Sequence, residues 1–328
     1  MIEGKHVDVA TTTEVEAVQQ AASTIREAVG RVISGKGEAV GLAVTALFAE
    51  SHLLIEDVPG VGKTMLARAM ARAIDASSSR IQFTPDLLPS DITGVSVFNQ
   101  NTREFEFKRG GIFANIVIAD EINRASPKTQ SALLEAMAER RVSADGISHA
   151  LPRPFIVVAT QNPIEMEGTY PLPEAQRDRF GLRIDMGYPS RQDEVSMLDH
   201  HGEAEPLEGI SPVIDAAGVM RCIAAARRVF VHRAVKDYLV AIVHQTRSVG
   251  DIRLGASPRA SLQLLRVAKA QAAIGGRNYV TPDDIQALAV PTLAHRVLLS
   301  HEAQLGRRQV TEVIRGIVAD VPVPQRRA

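Results

Sequence analysis

Asp57-Val58-Pro59-Gly60-Val61-Gly62-Lys63-Thr64 sets two glycines ahead of a lysine and a hydroxyl. Backbone N–H groups can surround phosphate oxygens only where side chains are small enough to let the ligand approach. In such a loop Lys63 reaches the β and γ phosphates and Thr64 ligates Mg²⁺. The expected nucleotide contacts are Pro59, Gly60, Val61, Gly62, Lys63, Thr64 and Met65. The strict spacing G-x-x-x-x-G-K-[ST] would put glycine at position 57, where this chain has Asp57; Pro59-Gly60 can still shape the turn.

Ile116-Val117-Ile118-Ala119-Asp120-Glu121 adds an apolar strand that ends in two carboxylates. Asp120 is expected to orient the magnesium shell, and Glu121 to polarise the attacking water as base or positioner. A third apolar run, Phe155–Thr160, leads into Gln161-Asn162-Pro163, so that the Asn162 amide can position water or contact the γ-phosphate. Pro173-Glu174-Ala175-Gln176-Arg177-Asp178-Arg179-Phe180-Gly181 carries two closely spaced arginines. One of them is expected to reach a neighbouring subunit's site as an arginine finger, which stabilises charge on the transferring phosphoryl group. Arg179 is the expected finger and Arg177 the alternative, while a salt bridge to Asp178 or Glu174 would explain the same letters without catalysis. Arg259, at the start of the helix that follows Ser257-Pro258, could lie over the γ-phosphate or be an ordinary surface arginine.

These residues need a frame. The strand His52–Glu56, the turn Asp57–Gly62 and the helix Lys63–Ile74 form a strand, loop and helix in order. With Arg80–Phe83, Asn115–Ala119 and Phe155–Ala159 as further buried strands, they predict a parallel sheet covered on both faces, an α/β fold. Helices are expected over Thr13–Val29 and Glu38–Ala49. From about Ser190 the pattern turns to amphipathic helices, with a loop over Gly202–Pro212. Two domains follow, an α/β nucleotide-binding domain over 1–189 and a smaller all-helical domain over 190–328. Two inserts read as hairpins: Thr93–Phe98 with Arg103–Lys108 about the turn Asn99–Thr102, and Arg141–Ala144 with Ile147–Ala150 about Asp145-Gly146, a pair suited to a type I′ turn. They either touch a substrate or only embellish the sheet.

Composition narrows the partners. The chain has 328 residues, 45% hydrophobic and 23% charged, with 37 basic and 38 acidic residues. That is ordinary for a globular protein and gives no overall pull toward nucleic acid or an anionic membrane. Nucleic acid is therefore not an expected partner. No apolar stretch is long enough to span a membrane, and Met1–Val9 carries Glu3, Lys5 and Asp8 where a signal peptide would be apolar. The single cysteine, Cys222, can form no internal disulfide, so a cytoplasmic setting is expected. The histidines form no metal-ligand spacing, and His200-His201 reads as a solvated pair.

The longer words around these motifs resemble the MoxR family of AAA+ ATPases. They are Glu56–Thr64, Arg80-Ile81-Gln82-Phe83-Thr84-Pro85-Asp86-Leu87-Leu88-Pro89-Ser90-Asp91, Asp120-Glu121-Ile122-Asn123-Arg124-Ala125, Ala159-Thr160-Gln161-Asn162-Pro163 and Tyr170–Gln176. The likeness runs from about Glu14 to Asp320. It implies an AAA+ core followed by a helical lid, ATP and Mg²⁺ as cofactors, and sensor, finger and lid-arginine roles for Asn162, Arg179 and Arg259. Asp57 agrees with the family's habit, and Thr84–Asp91 looks like the approach to its helix-2 insert. Val32 and Ile33 fall where AAA+ proteins line the adenine pocket. The resemblance also implies a hexameric ring, chaperone-like work on client proteins and a von Willebrand factor A domain partner. The insert and Asp178–Gly181 are similar as well to the magnesium chelatase small subunit, so a metal-chelatase motor is the alternative function. A DNA-directed motor is disfavoured by the neutral charge. A scaffold without turnover is disfavoured by Lys63, Asp120 and Glu121 occurring together.

Overall fold

The computed structural model describes residues 8–163, 169–199 and 206–324. Its centre is a parallel sheet of five strands: β1 (Leu53–Glu56), β2 (Ser78–Gln82), β3 (Ile116–Asp120), β4 (Ile156–Gln161) and β5 (Leu182–Ile184), in the order β5-β1-β4-β3-β2. Each strand expected from an apolar run is present within a residue or two of its expected ends; β5 was not foreseen. Alternation along each strand divides the core. Leu53, Ile55, Ile116, Ile118, Ile156 and Val158 join a cluster on one face. Leu54, Val117, Ala119, Val157 and Ala159 join a second cluster on the other. Both faces are covered, so β3 and β4 are buried along their whole length, as helix-covered parallel strands must be.

The longer helices of the first part are α1 (Thr12–Gly30), α2 (Gly37–Phe48), α3 (Lys63–Ala73) and α4 (Pro127–Glu139). At the start of α1 the Thr11 hydroxyl accepts from the Glu14 N–H and the Glu14 carboxylate accepts from the Thr11 N–H, a reciprocal cap. The later part contributes α5 (Ala216–Arg227), α6 (Arg233–Gln245), α7 (Pro258–Ile274), α8 (Pro282–Leu293) and α9 (Val310–Asp320). It is helical with two differences: Ile252–Leu254 and Leu298–Leu299 form a small antiparallel pair, and Ile214–Asp215 pairs in parallel with Ile74–Asp75. The first hydrophobic cluster continues through α1, α2, α5 and α7, and the Thr45 hydroxyl in α2 donates to Gln271 of α7 at 2.9 Å. The two expected parts are thus packed together. The loop expected over Gly202–Pro212 lies only partly within the described residues, and His200-His201 and Met1–Val7 lie outside them.

Arg296, buried after α8, fastens this packing. It pairs with Asp178 at 2.9 Å and donates to the carbonyls of Phe180 and Gly181. Burial lowers its guanidinium to about 10, so it stays charged. Gly181 is required by close approach, because a Cβ there would meet the Ser51 hydroxyl at 1.5 Å.

Both inserts are hairpins, Gly94–Asn99 with Glu104–Arg109 and Arg141–Ala144 with Ile147–Ala150. Asp145 (φ 51°) and Gly146 (φ 77°) are both left-handed, as a type I′ turn needs. Phe107 of the first hairpin stacks on His149 of the second at 4.0 Å between centroids, so the two inserts form one unit.

Candidate active site

Parallel strands deliver their C-terminal ends to one edge, and four of them end in a cleft of about 400 Å³. Pro59, Gly60, Gly62, Lys63, Thr64 and Met65 form one wall. Gly60 (φ 81°) and Gly62 (φ 88°) are left-handed with open space where a Cβ would stand, so backbone conformation rather than crowding calls for glycine. The Lys63 ammonium donates to the carbonyls of Asp57 and Gln161, the latter at 3.0 Å. Asp57, the departure from the strict motif, has its own work. Its carboxylate accepts from the Val58, Met186 and Gly187 N–H groups, which ties the loop to the chain beyond β5.

The opposite wall holds Asp120, Glu121, Thr160 and Asn162. Because β4 lies between β1 and β3, Thr160 sits beside Asp120 and donates to it at 3.0 Å, while the Thr64 hydroxyl donates to the same carboxylate oxygen at 2.8 Å. Arg80 pairs with the other oxygen at 2.7 Å. Glu121 is left-handed (φ 55°), uncommon for a side-chain-bearing residue, and its N–H is held by the Thr160 hydroxyl at 2.9 Å. Its carboxylate accepts from Gln82 at 3.0 Å and Arg124 at 3.1 Å. The buried Asn162 lies behind, with its carbonyl held by Asn123 at 3.2 Å. The Thr64 hydroxyl and Asp120 carboxylate offer oxygen donors only, the set a hard cation such as Mg²⁺ takes.

The other expected residues lie elsewhere. Arg179 and Arg259 line a second concavity, also about 400 Å³, which shares no lining residue with the first. It includes Ser51 and His52, at the N-terminal end of β1, whereas the P-loop follows the C-terminal end. Asp178 is engaged by Arg296 and by the Ser257 hydroxyl, the latter at 3.0 Å, so the carboxylate next to Arg177 and Arg179 is already used. Val32 is half-buried and Ile33 buried, both against the first hydrophobic cluster, and Val61 is buried there too; none of the three lines the cleft. Sequence reasoning passed over Arg68, Arg80, Gln82 and Thr160, which do line it. The signal for Arg80 and Gln82 was available, because alternate residues of an edge strand share one face.

Burial holds the His52 imidazole at about 4. It keeps His295 well below its ordinary value too, with Arg296 adding to the effect. The buried Cys222 thiol is pushed up to about 11, which makes it unreactive at neutral pH. Among the described residues no helix is long and apolar enough to cross a membrane.

Residues 52–182 match the ATPase family associated with various cellular activities (AAA), and residues 244–317 match the AAA lid domain. The chain is 50% identical over 302 residues to the uncharacterized protein YeaC of Bacillus subtilis, covering 92% of this chain and 94% of that one. It is 42% identical over 306 residues to Chaperone MoxR1 of Mycobacterium tuberculosis, covering 90% and 81% respectively. A solved structure of a candidate ATPase from Cytophaga hutchinsonii aligns with a TM-score of 0.88 at 34% identity, over 95% of this chain and 98% of that one.

Proposed function

The chain belongs to the MoxR family of AAA+ ATPases and is an ATP-hydrolysing P-loop enzyme, and from that premise we propose that it works as an oligomeric ring that remodels or matures client proteins. The observation that carries the ring is the position of Arg179. It lines a concavity at the opposite end of β1 from its own P-loop, so it meets a nucleotide when another subunit supplies one. Arg259 lines the same concavity, and its γ-phosphate contact is proposed to be with that neighbour as well. Arg177 remains the alternative finger, and an adenine contact through Val32 and Ile33 belongs to the same proposal.

Within one subunit, Lys63 and the P-loop amides hold the β and γ phosphates. Thr64 and Asp120 would hold Mg²⁺, which when bound neutralises phosphate charge. Glu121 orients a water whose oxygen bonds to the γ-phosphorus as the bond to the bridging oxygen breaks; ADP leaves and the water's proton passes to Glu121 or to the departing phosphate. Asn162 contacts the γ-phosphate from the end of β4. Lys63 acts on binding and Glu121 on the chemical step, so Lys63→Ala loses tight ATP binding while Glu121→Gln keeps it and stalls hydrolysis. Isothermal titration beside a phosphate-release assay checks both, and wild-type turnover by Glu121→Gln would remove the water-positioning assignment.

A cytoplasmic setting and a von Willebrand factor A domain partner complete the proposal. The stalled Glu121→Gln ring should retain its client for mass-spectrometric identification. Recovery of a chelatase-type partner instead would favour the metal-chelatase reading.

A further inference from the structure

The second concavity holds more arginine than the finger and lid roles use. Among its described lining residues are Arg140, Arg179, Arg227, Arg259 and Arg266, against a single carboxylate, Glu50. Arg259, Leu262, Gln263 and Arg266 follow helical spacing on one face of α7, while Arg140 and Arg179 come from the sheet domain. Glu50 is already engaged, pairing with Arg140 at 3.0 Å and with Arg227, and its side chain is 1% exposed. One buried carboxylate cannot neutralise five guanidinium groups, so the concavity suits a multiply charged anion.

Arg140 is the most firmly placed of the additional arginines. It caps α4 through its N–H to Ala136 at 2.8 Å, and its carbonyl accepts from Leu151 at 3.1 Å across the base of the second hairpin. Both Arg140 (φ 53°) and its partner Glu50 (φ 49°) are left-handed residues other than glycine, a conformation that persists where surrounding contacts enforce it. The Arg140 side chain is 26% exposed, against 55% for Arg227. A guanidinium has five N–H donors, so an ion pair to one carboxylate leaves donors for phosphate oxygens.

We infer that Arg140 is a third arginine, beside Arg179 and Arg259, that contacts the phosphates of the neighbouring subunit's nucleotide, with Glu50 holding its guanidinium in place. The inference rests on the composite-site reading above. It gives Arg140 a second consequence, because the hairpin Arg141–Ala150 begins at the next residue and stacks through His149 on Phe107 of the other insert. An arginine bound to a neighbour's phosphate is thereby joined to the unit that projects from the core.

The test uses assembled full-length protein and ATP. Losing a hydrogen bond to a charged phosphate predicts that Arg140→Gln turns over about ten- to a hundredfold more slowly at saturating ATP. ATP affinity, measured in the Glu121→Gln background, should stay within a few-fold because the subunit's own P-loop is intact. Arg140→Lys keeps charge without the planar fork and should fall between; it is also the variant to read where Arg140→Gln does not assemble. Mixing Arg140→Gln with Glu121→Gln subunits should restore activity, since an intact Glu121 then meets a neighbour's intact Arg140. Arg140→Gln rings that lose thermal stability yet keep wild-type turnover would overturn the inference, leaving Arg140 a structural partner of Glu50. Failure of that mixture to recover while an Arg179→Ala and Glu121→Gln mixture does would overturn it too. If Arg179→Ala itself retains full turnover, the composite-site reading fails and takes this inference with it.

Discussion

His52 carries a pH dependence that can be argued from one side chain. The imidazole is buried, Nδ1 accepts from the Val157 N–H at 3.1 Å and Nε2 faces the Met137 carbonyl at 3.2 Å, so the neutral Nε2–H tautomer satisfies both. A proton on Nδ1 would break the first bond beside the Arg140 charge. Burial first, then Arg140, hold the group at about 4 against an ordinary 6.5, with the Met137 bond opposing them. The unfolded chain therefore binds the extra proton first as pH falls. The His52 contribution to stability is full above pH 6.5 and is lost down to about pH 4. At pH 5 the loss is about 2 kcal/mol, or roughly 3 °C in melting temperature for a chain of this size. His295, also held low, acts in the same direction. The melting temperature of wild type should fall between pH 7.5 and 5, and His52→Gln should show a smaller fall; equal slopes would remove His52 as a cause. The residues legible in the sequence were those whose type and spacing propose a chemical duty. Lys63, Thr64, Asp120 and Glu121 announce themselves by type and spacing, and the structure brings them to one cleft. Arg80 against Asp120 and Glu50 against Arg140 were not legible, because each pairing depends on how distant segments are set side by side.

Elements were legible where one period ran without interruption. The apolar runs at Asn115–Ala119 and Phe155–Ala159 gave β3 and β4 because strands covered on both faces have no polar side to hide them. β5, of three residues, is too short to declare a period, and only its pairing with β1 defines it. The hairpins were readable through their turns, although their purpose was not. On the first, Val95, Val97, Phe98 and Phe105 are exposed, and Phe98 and Phe105 lie edge to face at 5.4 Å. Aromatic groups left in water at the tip of a projecting ribbon suit transient contact with an apolar segment of another protein. Replacing Asn99–Thr102 with a Gly-Ser turn, or Phe98 and Phe105 with serine, should leave basal ATPase within about twofold, since neither lies in the nucleotide cleft, and should weaken stimulation by a client. Steady-state phosphate release with and without the client identified by the stalled ring measures this. Loss of basal activity in a folded variant would instead put the hairpin in the ring contact.

At the scale of the whole molecule, the two concavities impose a division of labour. One end of β1 presents the P-loop with Asp120 and Glu121 across the cleft, and the other presents Arg179 and Arg259. On the proposed reading, a single chain holds the acceptor half of one hydrolytic site and the arginine half of another. If the halves meet only between subunits, turnover per subunit must rise with protein concentration and level off where rings are complete, and a monomer should be nearly inactive. Arginine fingers contribute on the order of 10³–10⁵ in rate, so Arg179→Ala should remove most turnover at every concentration while ATP affinity stays within a few-fold. Arg177→Ala supplies the comparison, because the neighbouring arginine shares its segment and charge and does not line the second concavity. A large loss with Arg177→Ala and little with Arg179→Ala would move the finger to Arg177. Turnover independent of concentration, in a sample whose mass shows monomers, would mean that each chain completes its own site, and the arrangement around Arg179 would then need a different explanation.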